Sequence, residues 1–246
     1  MQQYFIDKNT SVNELISFND EQAHHIKNVV RMKNETIVRV VDSKAQAFYA
    51  SILYEDNHPF AKVIEEIKET GESRIKITLY MGLIKGEKWD YLIQKACECG
   101  VYSIVPVMSS RSVVKIKEEK NDRKLERWNK IAAEACEQCK RVHQVEVSNP
   151  IELKNIQPDD SLKLIAYEDA DVHGSNMAKL LINNDKNDIS ILIGPEGGFS
   201  KEEVKHMQSM GYQCISLGTR IFRAETAALF ALNAITYHYD LLGELQ

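Results

Sequence analysis

Three stretches of the chain set small residues, turn formers and charged groups directly after apolar runs: LIAYEDAD (Leu164–Asp171), LIGPEGGFS (Leu192–Ser200) and ISLGTRIFRAETAA (Ile215–Ala228). The middle one is the most crowded. Gly197 and Gly198 permit positive φ and close approach of a second backbone, Pro195 fixes one dihedral, and Ser200 with Glu203 reads as a capping box opening a helix. Backbone donors and acceptors on such turns, beside apolar Ile193, Leu217, Ile221 and Phe222, suit a flat heteroaromatic ring carrying few charges. Neither Gly-x-x-x-x-Gly-Lys nor Gly-x-Gly-x-x-Gly occurs, which disfavours a nucleotide gripped by its phosphates. Each turn alone is an ordinary connection of an α/β sheet. Three at strand ends carry more weight, because ligands of open parallel sheets bind outside the carboxyl ends of the strands.

Other reactive side chains are less eloquent. The five cysteines stand at 97, 99, 136, 139 and 214. The Cys136/Cys139 spacing lies inside a helical pattern rather than at a strand-to-helix turn, and no second pair has ligand spacing, so reduced thiols and no metal are expected. Between Arg111 and Lys130 eight basic residues face four acidic ones. A second basic cluster, HHIKNVVRMK (His24–Lys33), alternates cations with Ile26, Val29, Val30 and Met32. Taken singly, each cluster is as well explained by a solvated helix face as by phosphate contact.

The elements that must position these groups fall into two textures. Residues 1 to 70 hold short β runs at 36–42, 47–55 and 60–67, separated by turn residues, as in a small β-barrel or sandwich. From Ser73 strands alternate with helices, which implies a mostly parallel sheet covered on both faces. Helices are expected over 87–99 (stopped by Gly100), 123–141, around 175–182, from Ser200, and over 224–242. At ~100° per residue the second of these puts Leu125, Trp128, Ile131, Ala132, Ala135, Cys136 and Cys139 on one face and Arg123, Arg127, Lys130, Glu134, Glu137 and Arg141 on the other. Gly71 is the expected hinge, giving domains 1–71 and 72–246. The first 70 residues carry 8 basic and 11 acidic side chains and the remainder 23 and 25, so neither part is a generally basic nucleic-acid binder. No apolar stretch approaches the ~18 residues of a membrane span, and the start lacks the layout of a secretion signal, so a soluble, cytoplasmic protein is expected. The last helix is apolar almost all round, from Ala227 to Ile235, and so must be covered on more than one side, within one subunit or against a second copy.

LIGPEGGFS followed by LGTRIFRAETAA, with EACEQCKR (Glu134–Arg141), SSRSVVK (Ser109–Lys115), and the N-terminal YFID and HHIKNVVRMKNE, resembles the small-subunit ribosomal RNA uridine-N3 methyltransferases of the SPOUT superfamily over nearly the whole chain. Phe222 stands where that family usually has leucine, and Tyr167 where histidine is common. The resemblance implies a small N-terminal PUA-like β-barrel and a C-terminal α/β domain threaded into a deep trefoil knot, which chain physics alone would not suggest. It implies S-adenosyl-L-methionine as cofactor, walled by Glu168, Ile193, Gly194, Pro195, Gly197, Gly198, Leu217, Gly218, Ile221, Phe222 and Thr226. Arg141, Arg220 and Arg223 would hold the uracil carbonyls or the adjacent phosphate; Glu196, or as a second choice Glu137, is a candidate proton acceptor, the alternative for each being a bond to loop amides. His25, Lys27, Arg31, Lys33, Arg111, Lys115, Arg123 and Arg127 would contact RNA. The implied partners are 16S ribosomal RNA or the 30S subunit and a second copy of the chain, with no metal and no membrane. Two other readings stay open: a different knotted methyltransferase activity, such as ribose 2′-O methylation of transfer or 23S RNA, and a non-catalytic RNA-binding assembly protein.

Overall fold

The structure is a computed structural model and describes residues 1–68, 71–114, 121–167 and 175–242. Two compact units emerge: Met1–Glu72 with Cys136–Gln144, and Ser73–Ala135 with Val145–Gln246. The smaller unit thus takes in a nine-residue return from the second half of the chain.

The smaller unit is built on strands β1 (Gln3–Phe5), β2 (Leu15–Ser17), β3 (Ile37–Val41), β4 (Ala47–Glu55) and β5 (His58–Ile67), in the order β1-β3-β4-β5-β2. Alternation decides which face is buried: Val38 and Val40 on β3, and Phe48, Ala50 and Ile52 on β4, pack with Tyr4, Phe18, Ile26 and Val63 into one core. The β4/β5 register shifts between Tyr49 and Ala50, a bulge of the kind that bends a ribbon. Val41, Ala47 and Val142 form a second, smaller cluster. The basic stretch from His24 begins on helix α1 (Asp20–His24), whose N-cap Asn19 forms a capping box with Gln22, and continues as a π turn over His25–Val29.

The larger unit contains β6 (Lys76–Gly82), α2 (Glu87–Glu98), β7 (Ser103–Met108), most of α3 (Asn121–Gln138), β8 (Glu146–Val147), β9 (Ile151–Glu152), β10 (Leu162–Ala166), β11 (Ser175–Asn176), α4 (Met177–Ile182), β12 (Asp188–Ile193), α5 (Lys201–Ser209), β13 (Gln213–Ser216) and α6 (Ala224–Thr236). The sheet runs β11-β13-β10-β12-β6-β7-β8, with β9 also on β7, and every recorded pairing is parallel. Ile189, Ile191, Leu192 and Ile193 are all buried, which is why β12 reads as one apolar run instead of an alternation. On α3, Trp128, Ala132, Ala135 and Cys136 are buried while Arg123, Arg127, Lys130 and Glu134 are exposed, as the helical period predicts. Trp128 packs against Trp89 of α2 at 5.4 Å between ring centroids. Helix α6 buries Ala228, Ala231, Leu232 and Ile235 but leaves Phe230 and, beyond it, Tyr237 and Leu241 exposed.

Candidate active site

The carboxyl ends of β10, β12 and β13 open onto one cavity of about 600 Å³. Its floor is backbone. After β12 the chain turns through Gly194 and Pro195, and Gly198 N donates to Pro195 O at 2.8 Å. Gly198 takes φ +64°, the left-handed region that favours glycine. Beneath the turn lies Gly82, at the end of β6: a Cβ there would stand 2.3 Å from Pro195 N and 2.4 Å from Pro195 Cδ. Gly194 is constrained less severely, since its Cβ would lie 3.1 Å from Gly198 Cα.

The turn is also held from outside. Ser200 caps α5, and Glu203 closes the capping box by accepting from Ser200 N at 2.8 Å. Glu203 accepts Ser110 N as well, at 2.6 Å, so one carboxylate ties the 109–112 turn to the start of α5. Arg111 Nη1 donates to Gly197 O at 3.3 Å, and a Cβ on Gly197 would meet Arg111 at 3.1 Å.

Of the expected cofactor wall, Ile193, Gly194, Pro195, Gly198, Leu217, Ile221 and Phe222 line the cavity. Gly197, Gly218 and Thr226 are not in its lining: Gly197 backs onto Arg111, Gly218 (φ +111°) shapes the turn after β13, and Thr226 is exposed on α6. Glu168 and Lys115 lie outside the described residues. Among the polar candidates, Glu196 and Arg223 line the cavity, and the Arg220 guanidinium stands 5.9 Å from the centroid of the Phe222 ring, which itself packs on Phe230 at 5.1 Å. Arg141 does not line it. In the smaller unit its Nη2 pairs with Glu72 Oε2 at 2.9 Å, and Glu137 accepts from Phe5 N at 3.3 Å.

The proposed RNA contacts divide between the two units. Arg111 lines the cavity, Arg123 is exposed on α3, and Arg127 is paired with Asp90. In the smaller unit His25 Nδ1 is 3.0 Å from Tyr4 Oη, Lys27 is half-buried, and Arg31 and Lys33 are exposed, Arg31 with φ +55°. Tyr167 lines the cavity too, and residues not assigned to the site from the sequence join it: Ala166, Phe199, Ile215, Ala224, Ala227 and two cations, Lys88 from the first turn of α2 and Lys201 from that of α5. Lys88 Nζ lies 3.5 Å from Glu225 on α6.

The RNA methyltransferase domain family matches residues 71–236, and the RNA methyltransferase PUA domain family matches 18–65. The ribosomal RNA small subunit methyltransferase E of Bacillus subtilis is 34% identical over 252 residues, covering 98% of each chain. The chain belongs to the small-subunit ribosomal RNA methyltransferase family. Another member of that family, from Mesomycoplasma hyopneumoniae, is 35% identical over 85% of this chain and 88% of its own. The crystal structure of the Neisseria gonorrhoeae member bound to S-adenosyl methionine superposes with a TM-score of 0.88 at 29% identity, covering 97% of this chain and 98% of that one. The five-stranded smaller unit is accordingly the PUA-type element of the family, and the parallel sheet its methyltransferase element. Among the described residues no helix is long and apolar enough to cross a membrane, and no group of three or more His, Cys, Asp or Glu could hold a metal ion.

Proposed function

We propose that the chain transfers a methyl group from S-adenosyl-L-methionine to N3 of a uridine in 16S ribosomal RNA of the 30S subunit. The single observation that carries this is the glycine-floored cavity at the carboxyl ends of β10, β12 and β13, in a family whose N. gonorrhoeae member binds that cofactor. The residues fit the cofactor. Ile193, Leu217, Ile221 and Phe222 offer apolar contact to a purine, while the close-packed glycine turn leaves backbone groups, not side chains, to meet a nucleoside. When bound, the cofactor supplies an electrophilic methyl carbon on a positive sulfur.

The reaction joins uracil N3 to that methyl carbon, breaks the carbon–sulfur bond and releases the N3 proton. Neutral uracil is a poor nucleophile until the proton leaves, and negative charge then spreads over O2 and O4. In this reading Arg223 and Arg220 donate to those carbonyls, and Glu196, exposed on the cavity wall, accepts the proton. The remaining contribution is alignment, with reacting atoms at about 3–3.5 Å. Arg141, bound by Glu72, keeps a structural role in the smaller unit. A uridine in paired RNA has to be turned out of the stack to enter.

We further infer a trefoil knot, a homodimer and a cytoplasmic location. For the knot, β13 lies on one side of β10 while α6 packs on β12 and β6 on the other, so residues 217–223 must carry the chain back across the sheet's carboxyl edge. For the dimer, the exposed Phe230, Tyr237 and Leu241 continue one apolar stripe past the part of α6 that the subunit covers. The ribosomal substrate accounts for the location. The test is labelled methyl transfer to 30S subunits and to naked 16S RNA, followed by mass-spectrometric mapping. N3-methyluridine at one position is expected; a ribose 2′-O-methyl product, or cofactor binding without transfer to either RNA, overturns the reading.

A further inference from the structure

Glu203 uses its two carboxylate oxygens on backbone N–H groups from two distant parts of the chain. Its Oε2 accepts from Ser200 N at 2.8 Å, completing the capping box of α5, and its Oε1 accepts from Ser110 N at 2.6 Å. A capping box by itself is served by glutamate or glutamine alike. This one is not, because glutamine has one acceptor oxygen and an NH2 group that only donates, so it has to release either Ser200 N or Ser110 N. The second bond therefore fixes the residue type, and it contributes nothing to the helix. It holds the 109–112 turn, in which Ser109 N also donates to Ser112 Oγ at 2.9 Å. That turn is a partition: Ser109, Ser110 and Ser112 line a neighbouring hollow with Glu203, while Arg111 lines the cofactor cavity. Arg111 leans on the glycine turn, its Nη1 donating to Gly197 O at 3.3 Å and its Cβ and O lying 3.1 Å from where a Cβ on Gly197 would stand. Glu202, in the same first turn of α5, is near enough for its charge to attract Arg111. A guanidinium has five N–H donors, and Gly197 O is the one acceptor that Arg111 uses among the described residues. Arg111 is exposed, so the rest of its fork is open to a ligand entering the cavity.

We propose that Glu203 is a positioning residue for RNA: through Ser110 N it fixes the 109–112 turn so that the Arg111 fork, braced on Gly197 O, receives a phosphodiester oxygen beside the target uridine. The proposal takes its ligand from the methyltransferase reading and rests on it. Arginine suits the task, since one donor can stay on a carbonyl while others pair with phosphate in a fixed plane. The backbone that cradles the cofactor is then the backbone that aims the arginine. Charge by itself assigns Glu203 the opposite effect. A carboxylate close to the RNA repels phosphate, so its removal would strengthen RNA binding if charge were all that mattered. A positioning role requires that its removal weaken RNA binding.

The test is titration of the full chain with 16S RNA and with 30S subunits across a salt series, in wild type, Glu203→Ala, Arg111→Met and the double variant. Ser200→Ala controls for loss of the cap alone. Glu203→Ala is expected to weaken RNA binding by about tenfold, the effect of one lost charge-assisted bond, and to lower the salt slope by about one. Arg111→Met should lose at least as much, and Glu203→Ala should add nothing to it, because a residue that acts through another is silent once that other is gone. Calorimetric titration of Glu203→Ala with S-adenosylmethionine should give affinity within about twofold of wild type, a change too small to mark a lost contact. Ser200→Ala, comparably destabilised, should keep the wild-type RNA affinity and salt slope. RNA binding that is tighter or unchanged in Glu203→Ala, or losses that add in the double variant, overturns the proposal. So does an equal loss in Ser200→Ala, which would assign the effect to the stability of α5. Wild type that binds RNA but transfers no methyl group sinks the methyltransferase reading instead, and the salt slopes still decide the phosphate contact.

Discussion

The Cβ that Gly82 lacks is the space through which Pro195 crosses the end of β6. Contacts of 2.3–2.4 Å to backbone N and ring Cδ cannot be relieved by rotating a side chain, so Gly82→Ala has to displace the 194–198 turn itself. The expected cost is about 1–3 kcal/mol of stability, the range for overpacking a dense site. Cofactor affinity should fall by more than about tenfold, since 1.4 kcal/mol of lost fit is already that factor. A thermal melt with S-adenosylmethionine titration checks both; unaltered affinity would mean that the turn's position is irrelevant to the cofactor. By contrast Gly198, with φ +64° and open space around its missing Cβ, is held by dihedral strain rather than by contact. The glycines of the 194–198 turn are visible in the sequence because they cluster, whereas Gly82 sits alone in an apolar strand and gains meaning only when β6 and β12 pair in parallel. Lys88 and Lys201 had a usable signal: both open helices that follow strand ends of the sheet, β6 and β12, where ligands gather.

At the scale of elements, α5 shows how one cap can serve two purposes. Ser200 and Glu203 satisfy each other's backbone N–H groups, and the same glutamate holds Ser110 N. Ser200→Ala should cost about 0.5–2 kcal/mol, as loss of an N-cap does. Glu203→Ala should cost a comparable amount and also release the 109–112 turn, so amide exchange at Ser110 accelerates in that variant alone. Equal protection of Ser110 in the two variants would show that the turn is held by other means. This cap was legible, as were β4, β12, α2 and the buried face of α3, because each is long enough for its period to show. Strands β1, β2, β9 and β11 were not, being two or three residues that exist only through pairing with distant partners, as β1 does with β3 and β11 with β13. The π turns at 25–29 and 237–241 were equally hidden, since they continue a helix without altering its residue pattern.

For the whole molecule, the least readable feature is that the smaller unit is closed by a segment that arrives much later in the chain. Glu72 receives it: Arg141 Nη2 donates at 2.9 Å, Val142 N at 2.9 Å and His143 N at 3.1 Å, across about 70 positions of sequence. Burial on its own would raise the carboxyl's pKa, but the hydrogen bond and charge of Arg141 and the two backbone donors outweigh it and hold Glu72 below its ordinary value. A carboxylate with a depressed folded-state pKa contributes stability that is fully present above its unfolded value, near 4.5, and is lost as pH falls through the lower folded value. Glu72→Gln should therefore melt below wild type at neutral pH, by about 1–3 kcal/mol for donors left without a charged acceptor in a site still partly open to water. Carboxylates elsewhere titrate alike in both proteins, so the difference between them isolates this one group. That gap should close as pH is lowered beneath about 4.5. A gap that stays constant from neutral to acid pH would mean that shape, not the charge on Glu72, joins the returning segment to the first 72 residues.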